Sequence, residues 1–215
     1  MILSKIIEVI YYLLLLFLAI RSIISIRYNG FIAKNFLNVY IIITAGLELY
    51  SYVLLISKQS PKGILYNFYC LLSILLFYFF YRIYFKRIYL KLFNLIFFSV
   101  LFFYLCCTNF YKSDFDVSIG ILISLYYIGV SLLWFYYKIN SFDEYEITSD
   151  PYFWISTGLL MWSCFFLFRV IPMFYFAKVD NEFLEFLHLG QNIINICMYS
   201  MFYLALIKYE RKLHR

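Results

Sequence analysis

The sequence is short of charge, glycine, proline and histidine. Only 14% of its 215 residues are charged, where soluble domains usually carry about 25%, which leaves too little polar surface for an ordinary cytosolic enzyme. Seven glycines and three prolines give little room for disorder, collagen-like repeats or glycine-rich phosphate loops. There are two histidines, and His214 lies in the C-terminal tail, so imidazole chemistry would fall to His188. No HExxH, GxSxG, P-loop or C-x-x-C-H motif occurs. The last apolar run has no lysine before Lys208, which argues against a retinal Schiff base. No catalytic, metal-binding or cofactor-binding residue is therefore assigned, and enzymatic activity is not expected. The five cysteines, Cys70, Cys106, Cys107, Cys164 and Cys197, are odd in number and lie inside apolar runs. They read as small core residues rather than a disulfide framework.

What the chain has in abundance is apolar and aromatic surface. Hydrophobic residues make up 65%, and Phe and Tyr supply 26 and 24 residues, with a mean hydropathy of +0.83. This is the composition of an integral membrane protein. Crossing roughly 30 Å of hydrocarbon takes about 20 largely apolar residues. Seven segments qualify: 7–26, 37–57, 64–85, 88–109, 117–138, 152–174 and 184–208. The expected fold is all-α, a polytopic seven-helix bundle forming one membrane domain over 1–215. The first run follows a short charged start and has no small-residue cleavage site after it, so it reads as a retained helix rather than a signal peptide.

Lysine and arginine near the helix ends set the expected orientation. One side collects Arg21, Arg27, Lys34, Arg82, Lys86, Arg87, Lys91, Lys138, Lys208, Arg211, Lys212 and Arg215. The other holds Lys5, Lys58, Lys62, Lys112 and Lys178, with Arg169 just inside the sixth helix. The bias places the N-terminus outside and the C-terminus in the cytoplasm. The excess of base, a formal charge of +6, sits between apolar runs and suits anionic lipid headgroups rather than nucleic acid.

The 141–151 connection then faces the cytoplasm and carries Asp143, Glu144, Glu146 and Asp150. Asp143, Glu144 and Glu146 are a candidate surface for a basic cytoplasmic partner; charge that serves solubility alone is the competing reading. Asp150 directly before Pro151 has a simpler use, capping the sixth helix with proline in its first turn.

Polar residues at membrane depth are the sharpest feature. Glu48 lies near the middle of the second helix, where a carboxylate must be protonated, paired or wet. Thr44, Glu48 and Ser51 share a helix face, with Tyr52 at its margin. On the seventh helix His188, Asn192, Asn195 and Tyr199 follow spacings of four, three and four, with Gln191 beside them. Glu48 and Asn195 fall at similar depth and are candidate partners across the bundle. Asn67 and Arg169 can complete an outward-facing polar pocket, so the candidate ligand-binding or coupling set is Glu48, Asn67, Arg169, His188, Gln191, Asn192 and Asn195. The bland alternatives are interhelical hydrogen bonds for Glu48, and snorkelling or pairing with Asp180, Glu182 or Glu185 for Arg169.

A faint internal repeat aligns YIIITAGLELYSY from Tyr40 with YFWISTGLLMWSC from Tyr152. It matches Tyr40 with Tyr152, Gly46 with Gly158 and Ser51 with Ser163, and implies a three-plus-one-plus-three parallel organisation. Gly46 and Gly158 would then be equivalent points of close helix contact.

In its seven-span pattern, the Asp-Pro-Tyr-Phe-Trp start of the sixth helix and the Asn-rich seventh helix, the chain resembles uncharacterised seven-helix inner-membrane proteins of Bacteroidota. The resemblance covers nearly the whole chain, but its motifs are short. It implies a small receptor-like or accessory protein working with a separately encoded cytoplasmic signalling protein. The functional expectation is a sensor or signalling-associated protein that takes a small polar ligand. A small-solute or ion transporter using Glu48 is the alternative, and a non-catalytic assembly subunit a third.

Overall fold

The structure, a computed structural model, describes residues 2–29, 35–57, 63–111, 114–141, 146–176 and 181–213. These residues form α1 (Ile2–Asn29), α2 (Asn35–Ile56), α3 (Gly63–Arg82), α4 (Arg87–Cys107), α5 (Val117–Asn140), α6 (Pro151–Phe176) and α7 (Asn181–Leu213), with one 3-10 turn at Ile147–Ser149 and no strand among them. All seven helices are long and apolar enough to cross a membrane, and the protein is an integral membrane protein. A helix closes its backbone hydrogen bonds within one segment, so long apolar runs can cross lipid only in this form.

α3 stops short of expectation, at Arg82 rather than at residue 85. The Tyr84 and Phe85 amides both donate to the Tyr81 carbonyl, at 2.9 and 3.3 Å. Phe85 turns back into the core, 4% exposed, with its ring 5.1 Å from that of Phe93. α6 continues through Pro172 to Phe176, and α7 runs five residues beyond its expected end.

Large apolar side chains face outward. On α1, Ile6, Val9, Ile10, Leu13, Phe17, Ile20 and Ile24 are exposed while Tyr11, Leu15, Leu18, Ser22 and Ser25 are buried. On α4, Phe93, Phe97, Val100 and Tyr104 are buried at spacings of four, three and four, and Leu92, Leu95, Phe98, Phe102 and Phe103 are exposed. In lipid this outer surface costs nothing. In the α4 span 22% of the residues are buried and in the α5 span 56%, so α4 is the less enclosed of the two. Two buried serine hydroxyls bond back to their own helices, Ser73 donating to the Tyr69 carbonyl and Ser124 to that of Gly120, both at 2.8 Å.

The chain divides into two compact units, Leu15–Tyr126 and Met1–Leu14 with Tyr127–Arg215. In the first, α3 packs against both α2 and α4. The Tyr78 ring stacks on Phe97 and Phe93, with centroids 3.9 and 5.4 Å away, and its hydroxyl donates to Asn94 Oδ1 at 3.2 Å. Tyr40 lies against Phe77, and Phe36 stacks on Phe79. The aromatic runs thus supply packing area. In the second unit α6 and α7 pair antiparallel. A methyl group on Gly158 would sit 3.4 Å from Met198 Cγ and from Phe202 Cε1, which marks a close helix contact. Gly46 is exposed and has nothing within 4 Å of that position, so the two glycines are not equivalent as the sequence repeat would have them.

Candidate functional site

The α2 stripe faces two tyrosines of α3, one turn apart. Thr44 Oγ1 donates to the Tyr40 carbonyl at 2.8 Å. Its single proton is thereby committed, so in its 2.7 Å contact with the Tyr69 hydroxyl tyrosine is the donor. Two turns along α2, the Tyr66 hydroxyl donates to Ser51 Oγ at 2.8 Å. Glu48 is placed between these bridges by helical spacing. It is partly buried and within electrostatic reach of Tyr66. Both phenol protons point at hydroxyl oxygens, and Glu48 has no hydrogen bond or ion pair with a described residue. The cluster is a carboxyl flanked by phenols in an apolar span, chemically suited to a proton or a small cation. The sequence showed the Thr44, Glu48 and Ser51 face but not Tyr66 and Tyr69, which are two among 24 tyrosines.

The α7 stripe is built around Asn195 and faces α6. Asn195 Oδ1 accepts from Trp162 Nε1 at 2.9 Å and from Gln191 Nε2 at 3.1 Å. Trp162 is held by Phe166, stacked at 5.1 Å, and by the edge of Tyr127 at 6.1 Å. Gln191 and Asn192 are each 7% exposed, and Gln191 Oε1 has no partner. Asn192 Nδ2 lies 3.4 Å from Nδ1 of His188, whose side chain is exposed. Tyr199 is buried between the rings of Tyr11 and Phe202. Arg169 is partly buried and pairs with no described acid, Glu182 and Glu185 included; Asp180 lies outside the described residues. Trp162 is the residue of this cluster that sequence reasoning missed. An indole N–H in an apolar span needs an acceptor, and that was the available signal.

Asn67, expected in a ligand pocket, is instead a staple. It is fully buried, and its Nδ2 donates to the carbonyls of Phe110 and Asp114 at 3.5 and 3.3 Å. Its Oδ1 accepts from the Asp116 amide at 3.1 Å, and its carbonyl accepts from the Tyr104 hydroxyl at 2.6 Å. Asp116 in turn caps α5 through the Ser118 amide at 2.9 Å and holds the Asn109 amide at 3.1 Å. The D-V-S at the head of an apolar run is the sequence sign of that cap. Asn67→Ala is expected to destabilise the protein by about 2 kcal/mol, because three backbone groups lose their partner. Faster amide exchange at Asp116 and accelerated proteolysis of the α4–α5 connection would register it.

At the α5–α6 junction Asp150 takes the role its position suggested. Its Oδ1 accepts from the Tyr152 amide at 3.1 Å, and its Oδ2 lies 3.3 Å from Lys138 Nζ, with side chains 11% and 8% exposed. Trp154 Nε1 donates to the Thr148 carbonyl at 3.0 Å. Of the candidate partner surface, Glu146 is exposed, and Asp143 and Glu144 lie outside the described residues.

The seven expected site residues therefore fall into two sets, Glu48 and Asn67 in one unit and Arg169, His188, Gln191, Asn192 and Asn195 in the other. No group of three potential metal ligands occurs among the described residues. The cysteines are free, with Cys70 buried and Cys106, Cys107 and Cys164 exposed. No protein-family model, curated protein or solved structure matches the chain.

Proposed function

We propose that the protein is a small seven-helix sensor of the bacterial inner membrane, in which Glu48 is the receiving group and a cytoplasmic signalling protein the output partner. The observation that carries this reading is Glu48 itself, an acid at mid-span within electrostatic reach of Tyr66 and with no hydrogen bond or ion pair to a described residue. Such an acid is a functional group by default, and protonation or cation binding is the event it can report. Reception is favoured over transport by the helices, each of which is continuous from end to end, whereas coupled transporters typically use broken ones. Changes at Glu48 would reach the cytoplasm through the packing of α2 on α3. The acidic 141–151 connection would be the docking surface.

The test uses the full chain in lipid nanodiscs, with protons, sodium, potassium and ammonium as the probes. Thermal stability should vary with pH or with one of these cations, and Glu48→Gln should remove that dependence while the protein stays folded. Pull-down from a mild-detergent extract should recover a signalling protein that is lost in the triple variant Asp143→Asn, Glu144→Gln, Glu146→Gln, which leaves Asp150 and its contacts with Lys138 and Tyr152 in place. Gradient-driven uptake into proteoliposomes that disappears in Glu48→Gln would replace the sensor by a transporter. A Glu48→Gln protein identical to wild type in every assay would reduce the cluster to helix packing.

A further inference from the structure

The α3–α4 reversal concentrates positive charge without a counter-charge among the described residues. Arg82, Lys86, Arg87 and Lys91 fall within ten residues, and all four are exposed. None forms an ion pair with a described residue, and the sequence has no acid between Glu48 and Asp114. The first turn of α4 also lacks an acidic residue, and Lys86 at its cap makes no side-chain capping bond. Cations are unfavourable at that end of a helix, and no described residue balances this charge.

Two further observations show that the turn is shaped for something other than water. Between the cations stand Ile83 and Ile88, 59% and 77% exposed. Alternating basic and large apolar groups suit the boundary between headgroups and acyl chains, where the apolar parts insert and the charges stay level with phosphate. Arg87 holds a φ of +37°, in the left-handed region that glycine adopts far more easily. A strained backbone kept at a residue other than glycine points to a use for its side chain. Arg82 is fixed from behind, its guanidinium carbon 5.7 Å from the centre of the Tyr78 ring, and Tyr78 is itself clamped on α4 by Phe93 and Phe97.

We infer that the α3–α4 reversal is a binding site for the phosphate headgroups of anionic phospholipid. The lipid supplies both missing halves, a phosphate for the cations and hydrocarbon for Ile83 and Ile88. The inference is independent of the role of Glu48. It agrees with the orientation expected from the distribution of basic residues, which puts this turn at the anionic cytoplasmic leaflet.

The experiment compares the full chain in mixed nanodiscs of phosphatidylcholine and phosphatidylglycerol, reading retained lipid by native mass spectrometry. Wild type should retain phosphatidylglycerol in preference to phosphatidylcholine. The quadruple variant Arg82→Gln, Lys86→Gln, Arg87→Gln, Lys91→Gln should lose at least about tenfold of that preference, well beyond the loss in Lys208→Gln, Arg211→Gln, Lys212→Gln at the end of α7, which measures the general attraction of basic charge to an anionic surface. An equal loss in both variants, or none in the first, overturns the site. Millimolar inorganic phosphate that displaces the retained lipid would point to a free anion and overturns it too. A photoactivatable phosphatidylglycerol analogue tests the wild-type chain without substitution: crosslinks should map to residues 82–91, and crosslinks spread over all helix ends would contradict the inference.

Discussion

Gly63→Ala is expected to destabilise the protein by about 3 kcal/mol or more. The added Cβ would lie 2.6 Å from Asp114 Cα and would overlap the Asp114 carbonyl carbon and the Phe115 nitrogen. Backbone cannot rotate out of the way as a side chain can, so the α4–α5 connection must move. One turn further along α3, Asn67 holds that same connection through Phe110, Asp114 and Asp116, so the displacement also breaks hydrogen bonds worth about 1 kcal/mol each. Gly46→Ala is the matched control. It introduces the same methyl group into open space within α2, where alanine is the better helix former by about 1 kcal/mol. Thermal unfolding of the two variants in detergent should give shifts of opposite sign. Equal and small shifts would mean that the connection is not seated on α3.

Asp150→Ala should be at least as damaging, because it leaves the buried Lys138 ammonium without the Asp150 carboxylate and the Tyr152 amide without its cap. Removing one partner of a buried pair costs about 3–5 kcal/mol, and losing a cap about 1 kcal/mol. The variants separate these contributions. Asp150→Asn keeps a capping oxygen and loses the charge, so most of the damage should remain. Lys138→Met combined with Asp150→Asn removes both charges and keeps the cap, and should recover most of the wild-type stability. If the double variant is no better than Asp150→Asn, the ion pair is not what holds α5 to α6.

The seven helices were legible because lipid imposes one constraint, length of apolar run, that the sequence states directly. The end of α3 was not, because residues 83–85 are as apolar as the helix before them, and only the Tyr81 carbonyl receiving two amides marks the reversal. Spacing alone put Thr44, Glu48 and Ser51 on one face and aligned the polar residues of α7. It did not choose their partners, since Tyr66, Tyr69 and Trp162 belong to a crowded aromatic population in which no single ring stands out. Asn67 was legible as a polar residue out of place, but its role depends on backbone 43 to 49 residues away, beyond the reach of local pattern. Gly46 and Gly158 carry the opposite lesson. Their flanking sequences align, yet one meets Met198 and Phe202 while the other meets nothing, because a glycine's contacts are set by the neighbouring helix.

The seating of the α4–α5 connection on α3 also constrains how the chain is made. Translation delivers Asn67 long before Tyr104, Phe110, Asp114 and Asp116, every one of which it hydrogen-bonds. While α4 is still being synthesised, α3 must therefore wait in the translocon or the bilayer with the amide of Asn67 turned to water or to a temporary companion. The hairpin is completed only when residue 116 emerges and the connection closes over the end of α3. Its maturation is tied to a fixed point in the nascent chain, and a ribosome stalled before that point would hold two inserted helices that have not yet locked together.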